Sequence, residues 1–370
     1  MASDKQIQKA GDNAQQFQAD SVNVTIINGI DEKRAREVYS EMSARAIQDC
    51  TEEATTKAIE RIARFEQIVI PRIEQIESNF KSFAEPSFQF LLKSAQKTAA
   101  CTEREADYQM LSELLVHRIE KGEDRKTKAS ISRAVEIVDQ IDDDALCGLT
   151  LVQAINQWVP VSGSIVNGLN VLNDLLGSLC YRTLPSGFDW VYHLDLLNAA
   201  RVSSLGTFKK IEVYYPEIFD GYVCIGIQKE SENYTKAVDL LSEVNLSSDF
   251  LIDHELLEGY VRIPTRSKDS ISDIMISTQI PNTNIIVQRK IKKEEIDAVE
   301  KIWKLYEQKE DKKRQVKSDF MKKWDSYNSL KEIKTWWNAL PHSFDITAVG
   351  KVLAHANAKR YNSRIPDLNP

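Results

Sequence analysis

The stretch Ala145-Leu-Cys-Gly-Leu-Thr-Leu-Val-Gln-Ala-Ile-Asn-Gln-Trp-Val-Pro160, continued by Val161-Ser-Gly-Ser-Ile-Val-Asn-Gly-Leu-Asn-Val-Leu-Asn-Asp-Leu-Leu-Gly-Ser-Leu-Cys-Tyr181, decides how this chain is built. Its 37 residues carry one formal charge, Asp174. A helix that is apolar nearly all round is normally a buried one. Gln153, Asn156, Gln157, Asn167, Asn170 and Asn173 interrupt the apolar side chains, and Pro160 and Gly163 divide the run. Neither half therefore supplies the ~18 uninterrupted apolar residues of a membrane span. The pattern predicts two buried helices joined at Val159-Pro-Val-Ser-Gly163, with a hairpin that inserts into a membrane after a conformational change as the alternative.

Composition extends that helical core to the rest of the chain. At 370 residues the chain has room for two or three domains at ~150 residues each. Its 13 glycines and 10 prolines make about 6% of it, half the average share, and a chain so poor in helix breakers is helical. Hydrophobic residues at 42%, charged residues at 28% and a mean hydropathy of −0.38 describe a globular protein. Forty-eight basic against 55 acidic residues leave −7, which excludes a generally basic nucleic-acid binder. Cys50, Cys101, Cys147, Cys180 and Cys224 are widely spaced, with no CxxC pair and no neighbouring histidine cluster, so neither a zinc site nor a disulfide framework is expected. No apolar segment follows Met1, and a cytoplasmic location is the expectation.

Upstream of the core, Val38/Met42, Ala54/Ala58/Ile62/Phe65 and Ile68/Val69 recur at helical steps, with a break near Thr51. Pro71 is read as a restart, and Glu85-Pro86 as an end. Residues 31–85 are thus expected to form a stalk. Leu111, Leu114 and Leu115, then Ile131, Ala134, Val135 and Val138, mark two further helices around the charged turn 121–128. Downstream, 189–202, 234–244 and 248–260 read as helices, Ile211–Tyr215 and Ile285–Gln288 as short strands, and 262–283 as a loop. From Arg289 to Lys334 there are 15 basic and 10 acidic residues, the mark of a solvated helix face. Val316, Phe320, Trp324 and Tyr327 make one apolar stripe and Leu330, Ile333, Trp337 and Leu340 another. Trp336-Trp337 therefore reads as core anchoring before base stacking. Thr347 is placed to cap a last helix. The expected architecture is mainly α: a β element at 1–30, the stalk at 31–85, a helical body at 86–288 and a charged helical region at 289–370.

The first thirty residues differ from all that follow. Laying residues 7–16 on 17–26 superposes Ile7 on Phe17, Gln8 on Gln18, Asn13 on Asn23 and Ala14 on Val24. Alternating apolar and polar residues, β-branched Val22, Val24 and Ile26, and turn-forming Gly11-Asp12-Asn13 suit short strands. Two such rungs cannot bury a face alone, so copies of the chain would supply the rest. Ile7, Gln8, Asn13, Phe17, Gln18, Asn23, Val24 and Ile26 are the expected oligomerisation residues; a polar tail is the competing reading.

Chemistry is sparse. There is no GxGxxG after a strand and no GxxxxGK[ST]. His254-Glu-Leu-Leu-Glu258 resembles half of a metal-binding helix, with His254 and Glu258 on one face, but the second histidine of HExxH is a glutamate. Asp189, His193 and Asp195 lack a GxSxG elbow and read as a structural cluster. His117, His342 and His355 read as packing residues. No catalytic residue, metal or cofactor is assigned.

Two signatures carry a resemblance. The opening Gln6-Ile-Gln-Lys-Ala-Gly-Asp-Asn-Ala-Gln15 to Val24-Thr-Ile-Ile-Asn-Gly29, and the closing Trp336-Trp-Asn-Ala-Leu-Pro341 with Phe344-Asp-Ile-Thr-Ala-Val-Gly-Lys-Val-Leu-Ala-His-Ala-Asn357, resemble an uncharacterised family of bacterial proteins of similar length. Openings of this Gly-Asp-Asn kind also resemble those of some bacterial conflict and phage-defence proteins. Asp107–Leu115 followed by Ile131–Leu151 is similar in rhythm to the helical abortive-infection alpha proteins. These resemblances imply a non-enzymatic, self-associating sensor or scaffold in antiviral defence, partnered by itself and by a phage protein or an effector. The contrasting expectations are a membrane-disrupting effector using 145–181 and a metal-dependent hydrolase or nuclease around His254 and Glu258.

Overall fold

A computed structural model describes residues 31–47, 51–78, 80–121, 124–203, 206–279 and 286–368. The oligomerisation residues expected in 1–30 lie outside the described residues. Fourteen α-helices are described: α1 (Glu32–Ile47), α2 (Glu52–Ile76), α3 (Pro86–Cys101), α4 (Glu105–Glu120), α5 (Arg125–Ile137), α6 (Asp143–Gln157), α7 (Ile165–Leu179), α8 (Asp189–Leu196), α9 (Ile211–Ile218), α10 (Glu232–Glu243), α11 (Lys293–Trp303), α12 (Glu310–Asp325), α13 (Asn328–Asn338) and α14 (Ala348–Tyr361). Seven short strands accompany them: β1 (Ala200–Val202), β2 (Ile227–Gln228), β3 (Ile252–Asp253), β4 (Tyr260–Arg262), β5 (Met275–Gln279), β6 (Ile286–Lys290) and β7 (Phe344–Ile346). The mainly helical architecture expected from the sequence is the architecture present.

Helix α6 is the axis of the body. Every residue from Ala145 to Ile155 is buried, as the near-absence of charge requires. Close approach explains the glycines in these helices: a Cβ at Gly148 would stand 2.7 Å from the Trp190 ring, and one at Gly168 of α7 would meet the Tyr222 hydroxyl. No described helix is long and apolar enough to cross a membrane. At its N-terminus Asp142 accepts from the Asp144 and Ala145 amides at 2.8 and 3.1 Å. Helix α14 packs across α4, α5 and α6, and its cap is the predicted one, Thr347 Oγ1 accepting from Gly350 N at 3.1 Å. Strand β7 joins β1 antiparallel, Arg201 opposite Asp345, and so ties the start of α14 to the end of α8.

Two cores divide the chain differently from the expected boundaries. The main core takes residues from α1 to α9 and again from α12 to α14. A smaller core, built on α10, α11 and strands β2 and β4 with Ile276 of β5 packed against it, takes residues between Ile227 and Tyr306. The chain therefore leaves the body after α9 and returns at α12. The helices expected to be a stalk place Val38, Tyr39, Ile62, Phe65, Val69 and Ile73 in the main core. Pro71 does not restart a helix; α2 runs through it. Both Pro71 and Gln67, whose carbonyl the ring leaves unpaired, are exposed, so solvent can take that carbonyl.

Four local readings are corrected. The helix expected over 189–202 ends at Leu196, and 200–202 is β1, drawn out of the helix by its pairing with β7. Ile211–Tyr215 is the start of α9 and not a strand, because the Asn338 side chain caps it from α13, accepting from Ile211 N at 3.0 Å and donating to Glu212 at 2.7 Å. Residues 248–260 are a short 3-10 turn and the β3–β4 connection in place of a helix, with β4 paired to both β2 and β3. The loop expected at 262–283 contains a 3-10 segment, Lys268–Asp273, and β5, which pairs antiparallel with β6.

Candidate functional site

An open cleft of about 370 Å3 is lined by Ala106, Asp143, Leu146, Tyr181, Arg182, Arg360 and Tyr361. Four pieces of chain meet there: the first turns of α4 and α6, the exit from α7, and the last turn of α14. The Asp142 cap turns Asp143 and Asp144 into the first turn of α6, where negative charge is favoured. Asp143 bridges two arginines, at 3.0 Å from Arg104 Nη1 and 3.2 Å from Arg182 Nη1, while Asp144 takes Arg182 Nε at 2.9 Å. Burial alone would lower Arg182, but Asp144 and Asp143 carry it above its ordinary value. Arg104 is anchored further by Asp107 and by the carbonyls of Val138 and Ile141.

Arg360 is held differently. Its Nε donates to Gln109 Oε1 at 3.3 Å and its Nη1 to Asn357 Oδ1 at 2.7 Å, so amide oxygens orient it and no carboxylate neutralises it among the described residues. Asn357 is fully buried and is fixed by donating to Thr150 Oγ1 at 2.9 Å and to the Tyr181 hydroxyl at 3.1 Å. Tyr181 stacks on Tyr361 with ring centroids 3.9 Å apart and planes 8° from parallel, and the Arg360 guanidinium sits 5.2 Å from the Tyr361 centroid. A stacked aromatic pair with a cation beside it is a rigid wall. Burial pushes the Cys147 thiol up to about 11 and the Cys180 thiol up to about 12, and raises the Tyr181 hydroxyl well above its usual range. All three shifts have the same first cause, loss of solvent around the ionised form.

The sequence candidates for chemistry are employed elsewhere. His254 and Glu258 do not share a helix face, since 254–259 is the turn between β3 and β4. Both ring nitrogens of His254 are engaged, Nε2 with the Cys224 carbonyl at 2.8 Å and Nδ1 with the Leu256 amide at 3.1 Å. The neighbouring Glu255 is the carboxylate with work to do. It accepts from Ser164 Oγ and Ile165 N at 2.8 and 2.7 Å, capping α7, and pairs with the fully buried Arg262. Arg262 also reaches the Gly163 carbonyl at 2.8 Å, so the clasp joins β4 of the small core to the start of α7 in the body. Among the described residues no three His, Cys, Asp or Glu side chains are grouped to hold a metal ion. His193 accepts from the Asp142 amide at 3.1 Å and Asp195 pairs with Arg201, both structural. Trp337 is buried and Trp336 donates to the Pro185 carbonyl at 2.8 Å, as core anchoring requires.

His117 and His355, 238 positions apart, meet inside the body with His355 Nδ1 3.1 Å from His117 Nε2. His355 Nε2 donates to the Pro366 carbonyl at 2.8 Å, which leaves Nδ1 as an acceptor for the proton on His117 Nε2. Glu113 lies 3.4 Å from that nitrogen and also pairs with Arg72. Burial lowers His355 to about 4, with His117 adding to the effect. Burial alone would raise Glu113, but His117 and Arg72 hold it below its ordinary range.

Residues 29–369 match one protein-family model, described only as ":-like". The chain belongs to that family. The matched span contains the closing Trp336–Asn357 signature and every residue of the cleft, and starts at the last residue of the opening one. No curated protein and no solved structure matches the chain.

Proposed function

We propose that this protein is a non-enzymatic sensor or scaffold in bacterial antiviral defence, cytoplasmic, self-associating through residues 1–30 and presenting its helical body to a phage component or partner effector. The single observation that supports recognition by the body is the cleft wall: Arg360 is oriented by neutral amides beside a stacked tyrosine pair. Such a site offers charge and hydrogen-bond donors to a ligand. Clustering several bodies through a short repeat element would multiply contacts that are weak one at a time.

Plating efficiency of a phage panel on cells carrying the full chain, or a chain starting at Asp31, tests this. The full chain is expected to protect against at least one phage and the shorter chain to protect less. Equal protection by the two chains contradicts the proposal.

A further inference from the structure

We infer that the cleft between Arg182 and Arg360 is a receptor for a phosphate monoester, with the phosphate between the two guanidinium groups and the organic part against Leu146 and Ala106. This rests on reading the cleft as the recognition surface of a sensor. The donors left over point to an oxyanion. Arg360 spends Nε and Nη1 on Gln109 and Asn357, and Arg182 spends Nε and Nη1 on Asp144 and Asp143. In each case Nη2 has no partner among the described residues, and neither has the Tyr361 hydroxyl, although Tyr361 is exposed at the cleft.

Three donor groups from two pieces of chain, the exit from α7 and the last turn of α14, suit the several oxygens of a phosphate better than the two oxygens of a planar carboxylate. Charge agrees. Asp143, which also lines the cleft, and Asp144 are paired with Arg104 and Arg182, whereas Arg360 has no carboxylate partner among the described residues. The volume, about 370 Å3, lies in the range of small-molecule sites and exceeds what phosphate alone would fill, and buried Leu146 supplies an apolar floor.

Titration calorimetry on the full chain with adenosine 5′-monophosphate, ribose 5-phosphate, inorganic phosphate and adenosine tests the inference. At least one ester is expected to bind, more tightly than inorganic phosphate, and adenosine is expected not to. Preference for the adenylate assigns a nucleotide; equal binding of the two esters assigns the sugar phosphate. Arg360→Gln, which keeps a polar side chain and removes the charge, should weaken the ester at least tenfold, and Tyr361→Phe several-fold, with unchanged circular dichroism. If Arg360→Gln does not fold, Arg182→Gln carries the same expectation. Millimolar ester without heat, equal affinity in the folded arginine variant, or inorganic phosphate binding as tightly as both esters would overturn it. Failure to bind in a chain that still self-associates removes this inference alone; loss of self-association with binding intact removes the proposed function alone.

Discussion

Acidification from pH 7 to 4.5 should weaken the body through one buried ring, His355. Its folded value of about 4 lies below the ordinary 6.5 because burial disfavours the cation and His117 stands beside it. A base lowered in this way stabilises the fold fully above 6.5, where it is neutral in both states, and the contribution disappears as pH falls toward 4. At 1.4 kcal/mol per pH unit the interval is worth about 3 kcal/mol, and His355 is 3% exposed, so solvent screening removes little of it. Most of the loss falls above pH 4.5, before Glu113, held below its ordinary 4.5, begins to lose its charge. His254, also lowered chiefly by burial, contributes in the same direction and must be subtracted. Urea unfolding of the wild type and of His355→Gln at pH 7, 6, 5 and 4.5, at one protein concentration, performs that subtraction. The stability advantage of the wild type should shrink by 2 to 3 kcal/mol, in order of magnitude, from the first pH to the last. An advantage that stays constant across the series would refute the assignment of His355 as the titrating ring.

Two further substitutions probe what holds the fold. Glu255→Ala leaves the Arg262 guanidinium buried without its carboxylate and uncaps α7, and should cost about 3 kcal/mol in thermal or urea unfolding. Adding Arg262→Met should restore part of that loss, and a double variant as unstable as the sum of the singles would show that the pair does not act as a unit. Thr347→Ala removes the side-chain acceptor at the start of α14 and should cost about 1 kcal/mol, read in the same assay; no change would mean that Gly350 N finds another acceptor.

Much of the body was legible because its signals are local. The run 145–181, with Asp174 its one charge, specified two helices, of which α6 is buried all round as expected and α7 on one face only, leaving Val166 and Val171 exposed, and Val316, Phe320, Trp324, Leu330, Ile333 and Trp337 announced their own burial by helical spacing. Where the sequence misled, a distant residue decided the outcome. Ile211–Tyr215 has the β-branched and aromatic composition of a strand, yet Asn338 from α13 caps it as a helix. At 248–260 the helical spacing is outweighed by pairing with β2, which lies on the far side of α10 in sequence. The cleft left fainter traces. Tyr181-Arg182 and Arg360-Tyr361 are the same pair of residue types in opposite order, each at the exit of an apolar helix, and that symmetry is the only sequence signal that joins them. Nothing local marks Asn357 or Gln109 as the groups that orient Arg360. His117 and His355 looked isolated because their contact spans most of the chain.

Light scattering of the full chain against a chain starting at Asp31 bears most directly on assembly through the leading repeat. The account predicts a particle of several copies for the full chain, each of 42.2 kDa, and fewer copies, down to a single and lighter subunit, without the first thirty residues. The same number of copies for both chains, at matched concentration, would contradict it.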